Sequence, residues 1–104
     1  ISLTLNDLIK SKKIIDKLMK IDEKDPSTLY LTSSYFIKTK DFQKAIEYLN
    51  QAYKNIKPNE NIRLSFNITN TLSKLYQALG ENELANIYTT ESIKYKNNLK
   101  IFNN

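Results

Sequence analysis

The chain is predicted to be all-α, with antiparallel helix pairs stacked as an α-solenoid. Three observations lead there. Two stretches repeat at a constant offset of forty residues: Ser33, Phe36, Asp41, Ala45, Tyr48 and Ala52 are matched by Ser73, Tyr76, Glu81, Ala85, Tyr88 and Ser92. Repetition with a period of about 20–50 residues marks a stack of similar supersecondary units. Apolar residues recur at helical spacing along the chain, and no competing segment alternates in polarity. The 104 residues include one Gly and two Pro, which suits helices joined by short turns and argues against a β-sandwich. Short connections force neighbouring helices to run antiparallel.

The first helix is expected over about 4–21, where Leu8, Ile14, Ile15, Leu18, Met19 and Ile21 recur at helical spacing. Its apolar residues spread over about 240° of the wheel, wider than the stripe of a one-sided surface helix. Leu5 and Ile9 lie on one flank, with Leu3, Ile14 and Ile21 on the other, so the helix expects cover on two sides. Lys10, Lys13, Lys17 and Lys20 form a solvated ridge on its polar face. The run 22–26, Asp-Glu-Lys-Asp-Pro, reads as a capping turn. Its acids do not have the spacing of a calcium loop, and no Gly supplies the sharp turn such a loop needs.

Pro26 favours a first helical turn, because its missing N–H costs nothing there, and the second helix follows to Lys38. Asp41 can cap a third helix over about 41–56, with Ala45, Ile46, Leu49, Ala52 and Tyr53 as its apolar stripe. The break at 57–59 offers Asn59 as the cap of a fourth helix, which carries Ile68, Leu72, Leu75, Tyr76 and Leu79 and stops at Gly80. A fifth runs over about 81–98, with Leu84, Ile87, Tyr88, Ile93 and Tyr95 apolar, and the tail 100–104 is expected to fray. Asn6, Lys40 and Gly80 fall at equivalent turn positions. A left-handed turn accepts Gly and Asn easily and Lys at some cost.

These residues resemble the tetratricopeptide repeat, whose unit sets small residues and aromatics at fixed places on two helices and closes on a proline. One unit reads Leu29, Thr32-Ser33, Phe36, Ala45, Leu49, Ala52 and Pro58. The next reads Thr69, Leu72-Ser73, Tyr76, Ala85, Thr89 and Ser92, without the closing Pro. In both, the aromatic precedes the small residue by nine. The opening helix resembles the second half of another unit, since Ser11 stands thirty-four residues before Ala45. The chain thus reads as two and a half units across one domain, 1–104, of a longer protein. It departs from the pattern at Thr69 and at Thr89, where a large apolar and an aromatic residue are usual. The spacing between its two full units is six residues longer than the standard period, so the fourth helix is expected to start early.

The resemblance implies a right-handed superhelix whose first helices line a concave groove. Carried onto this chain, the peptide-binding positions are Tyr30, Ser34 and Lys38 on one helix and Asn67, Asn70, Lys74 and Gln77 on the next. Asn and Gln offer both donor and acceptor, which suits an extended peptide backbone. Lys38 and Lys74 suit an acidic side chain or a C-terminal carboxylate. The clamp that some members use for chaperone tails needs a fuller set of Lys, Asn and Arg, which Ser27 and Tyr30 do not supply.

The chemistry that is missing points the same way. No His and no Cys is present, so the commonest general base, the commonest zinc ligand and the thiolates are all lacking. The single Gly rules out a Gly-rich phosphate loop. No catalytic site, metal or cofactor is expected, and no apolar run approaches the ~20 residues that span a bilayer. The net charge is +5, but Arg63 is the only Arg, and Lys, Asn and Ile are abundant together, as in proteins of AT-rich genomes. Nucleic acid is therefore disfavoured as a partner. The expected function is a protein–protein interaction module, a scaffold or adaptor that binds a peptide or partner protein in the groove. The alternatives are the sensory domain of a bacterial signalling or transcription regulator and, below that, an RNA-binding helical repeat. The wide arc of the first helix also predicts self-association through that helix.

Overall fold

The computed structural model describes residues 5–57 and 61–103, with side chains from 7 to 57 and from 61 to 99. Among these residues the chain is all-α, in five helices without a strand: α1 (Leu5–Ile21), α2 (Pro26–Lys38), α3 (Phe42–Asn55), α4 (Ile62–Ala78) and α5 (Asn82–Asn103). The helices form two compact units, one holding α1 to α3 and the other α4 and α5.

In the first unit, Asp25 opens α2. Its Oδ2 accepts the Thr28 N–H at 3.0 Å and the Thr28 hydroxyl at 3.1 Å, and Pro26 takes the first turn. Such a cap is worth roughly 0.5–2 kcal/mol. Asp22 accepts the Lys24 N–H at 3.0 Å, so these acids serve the turn.

At the end of α2 the Asp41 N–H donates to the Phe36 carbonyl at 2.8 Å and the Lys40 N–H to the Ile37 carbonyl at 3.0 Å. This pair is the Schellman closure, which needs a left-handed residue, and Lys40 supplies it at φ 64°. Asp41 then receives the Lys44 N–H on its carboxylate at 3.3 Å and starts α3.

The α2–α3 pair is antiparallel. The ring of Phe36, near the end of α2, stacks on Tyr48 of α3 with centroids 5.5 Å apart and planes 2° apart. At the other end, the Asn55 side-chain amide donates to the Lys24 carbonyl at 3.2 Å. Leu29, Ser33, Ala45, Leu49 and Ala52 are completely buried. The Ala side chains let two backbones approach closely, and the ring pair fills the space beside them. Helix α1 packs on α2 less intimately than α3 does, burying Ile15. Ile9 and Ile14 remain 45% and 54% exposed, as the wide arc predicts. The side chains of Leu3 and Leu5 lie outside the described residues.

The second unit repeats the hairpin forty residues on. Glu81 N–H donates to the Tyr76 carbonyl at 2.8 Å, Gly80 N–H donates to the Gln77 carbonyl at 3.1 Å, and Gly80 holds φ 80°. Tyr76 stacks on Tyr88 at 5.7 Å. Burial, with Tyr76 and Glu91 close by, lifts the Tyr88 hydroxyl above its usual ionisation range. Ala85 and Ser92 are buried like their counterparts. Ser73 and Thr89 share a hydrogen bond between α4 and α5. Thr69 and Thr89 also donate to carbonyls one turn back on their own helices, both at 2.8 Å.

Three expectations are adjusted and one is met. The cap of α4 is Asn61, whose side chain accepts the Leu64 N–H at 3.1 Å; Asn59 lies outside the described residues. Asn61 directly precedes the apolar Ile62, and the cap follows the start of the amphipathic turn. Helix α4 does start early: the counterpart of Pro26 is Phe66, yet α4 opens at Ile62. Asn6 sits within α1 and not in a turn, and α5 runs on to Asn103.

Two predictions follow from the hairpins. Ala45→Leu overpacks a fully buried crossing and is expected to destabilise by roughly 1–3 kcal/mol, while the exposed Glu47→Ala changes stability far less. Denaturant titration of the two variants measures the contrast. The left-handed breaks give opposite signs for two further substitutions. Lys40→Gly should stabilise by about 0.5–1 kcal/mol and Gly80→Ala destabilise by about 1 kcal/mol, although nothing lies within 4 Å of a Cβ added at Gly80. Equal urea midpoints for all three proteins would show that the turn conformation carries no energy.

Candidate functional site

Helix geometry puts Tyr30, Ser34 and Lys38 on one strip of α2, each one turn from the next. Tyr30 and Ser34 are half-buried and Lys38 is exposed. The Tyr30 carbonyl receives the Ser33 hydroxyl at 2.6 Å and the Ser34 hydroxyl at 3.2 Å. The Ser34 proton is thus spent within the helix, and its oxygen keeps acceptor capacity for a ligand.

Ser34 and Lys38 also line a hollow of about 120 Å³ between α1 and α2. Its apolar part is Ile14, Ile15, Leu31 and Tyr35, and Ser11 completes it. Tyr30 does not reach it. A second, more open hollow of about 360 Å³ is lined by Leu8, Ile9, Lys12, Lys13 and Tyr35. Tyr35 belongs to both. Its ring meets Phe36 edge-on at 5.2 Å, and the Lys12 ammonium stands 5.8 Å from its centroid.

On α4, Asn67, Asn70, Lys74 and Gln77 form the corresponding strip. Asn67 and Asn70 are half-buried, and Lys74 and Gln77 are exposed. The Asn67 carbonyl receives the Thr71 hydroxyl at 2.7 Å. The side-chain amides of Asn67 and Asn70 make no hydrogen bond among the described residues. Half-buried amides with open donors and acceptors suit an incoming polypeptide backbone, which carries one donor and one acceptor per residue.

The α2 strip stands in one unit and the α4 strip in the other. Leu31, Tyr35, Ile14 and Ile15 are absent from the positions read off the sequence. The signal for them was the apolar arc of α1, which needs more cover than α2 gives. Among the described residues no group of three His, Cys, Asp or Glu gathers as a metal site. No described helix is long and apolar enough to cross a membrane.

The comparison with known families bears on the α2–α3 hairpin. Residues 26–58 match the family model of the tetratricopeptide repeat. No curated protein and no solved structure matches the chain.

Proposed function

We propose, from the premise that the chain is of the tetratricopeptide repeat family through residues 26–58, that it is a non-catalytic module that binds an extended peptide segment of a partner protein. Repeats of this family generally mediate protein–protein interaction. The observation that carries the reading here is the strip on α4, where Asn67 and Asn70 hold unpaired amides half out of solvent. No side-chain polar atom among the described residues is buried without a partner, so these amides face water, and a bound backbone can take over their donors and acceptors. Lys74, one turn on from Asn70, adds a cation for an acidic side chain; Tyr30, Ser34 and Lys38 form a separate strip on α2 in the other unit. Scaffold or adaptor work is the role that such contacts serve.

The test is selection of a random peptide library on the immobilised full chain, followed by affinity measurement of the recovered peptides. The double variant Asn70→Ala, Lys74→Ala is expected to weaken them at least tenfold, about 1.4 kcal/mol. Unchanged affinity would move the site elsewhere, with the exposed lysine ridge of α1 the next place to probe.

A further inference from the structure

We infer that the groove between α1 and α2 takes a segment of a partner protein in which one medium-sized apolar side chain is flanked by carboxylates. The inference rests on the peptide-binding reading and adds the chemistry of the ligand at one place.

Size sets the anchor. An apolar cavity of about 150 Å³ admits a benzene ring, so the hollow of about 120 Å³ takes one side chain of Leu, Ile or Phe size. Its walls are already turned outward: Leu31 is 43% and Ile14 54% exposed. The adjoining hollow shares Tyr35 and reaches Ile9, 45% exposed, one turn nearer the start of α1. The apolar surface is therefore continuous along the groove.

Charge sets the flanks. Lys38 lines the first hollow and Lys12 and Lys13 the second, and no carboxylate lines either. Lys13 and Lys38 have no acidic partner among the described residues. Lys12 pairs with Asp16 at 3.6 Å, with both side chains at least half exposed; such a pair is weak and leaves the ammonium free to turn. Set at the rim of an apolar wall, these ammonium groups favour Asp or Glu. The same charges argue against a second copy of the chain. A two-fold contact through this groove places the same surface on both sides and sets lysine against lysine.

Fluorescence anisotropy with three fluorescein-labelled synthetic dodecapeptides tests this on the full chain. One carries a central Leu between Glu residues, one has Ala at the centre, and one has Lys in place of Glu. The expected result is binding of the Glu–Leu peptide alone, weakened several-fold between 50 and 300 mM NaCl. Leu31→Glu should weaken it at least tenfold, and Lys38→Glu should shift the preference toward the Lys-flanked peptide. Both positions are exposed enough for the helices to form, which circular dichroism checks.

Binding of library-selected peptides that is indifferent to Leu31→Glu and Lys38→Glu, yet lost in the Asn70/Lys74 double variant, overturns the inference and leaves the peptide-binding reading standing. No binding to any peptide overturns both. Concentration-dependent light scattering abolished by Leu31→Glu, without peptide binding, overturns the inference and assigns the groove to a second copy.

Discussion

Each hairpin depends on one residue that performs two tasks at the turn. Phe36 gives its carbonyl to the Asp41 N–H and its ring to Tyr48. Tyr76 does the same with Glu81 and Tyr88. The backbone bond closes α2 or α4, and the ring contact sets how the next helix leaves. Because one residue fixes both, the helix cannot end elsewhere without losing the stack. Ala45 and Ala85 follow four residues after the acid that receives the chain, and both are buried. A larger side chain there separates the helices and breaks the ring contact as well.

The lysine content takes on meaning once the faces are known. A net charge of +5 is uninformative while its placement is open. With α1 folded, Lys10, Lys13, Lys17 and Lys20 are exposed on a single helix, and Lys12 and Lys38 reach the groove beside it. Clustering of one sign on a face raises the local concentration of oppositely charged partners and speeds their encounter. Of the acids on and after this helix, Asp16 pairs with Lys12, and Asp22 and Asp25 are held by the turn.

Local signals made most of the fold legible. The helix from Pro26 to Lys38 is marked at both ends by residues with one strong conformational role, and the two left-handed breaks stand at an exact repeat. Ala45, Ala52 and Ala85 declare close packing by their size. What escaped depends on choices between near neighbours or on three-dimensional proximity. Asn59 and Asn61 are equal as side chains, and only the helix start at Ile62 selects the second. Leu31 and Tyr35 look like ordinary apolar positions of α2. That they face α1 across an incompletely filled groove follows from the looser packing of that pair, which no spacing encodes. On α4, residue type exposed the polar strip, but the open state of its amides belongs to the folded chain.

The two hairpins share a backbone plan and differ in what fills it. Thr69 stands where the first has Leu29, Thr89 where it has Leu49, and Ser92 where it has Ala52. Their hydroxyls donate to carbonyls of their own helices, bonds that survive when the helices part. Across the interface Ser73 and Thr89 share a hydrogen bond. The second hairpin thus closes with hydroxyls at positions where the first uses Leu29, Leu49 and Ala52, while Ile68, Leu72 and Ala85 keep its seam apolar.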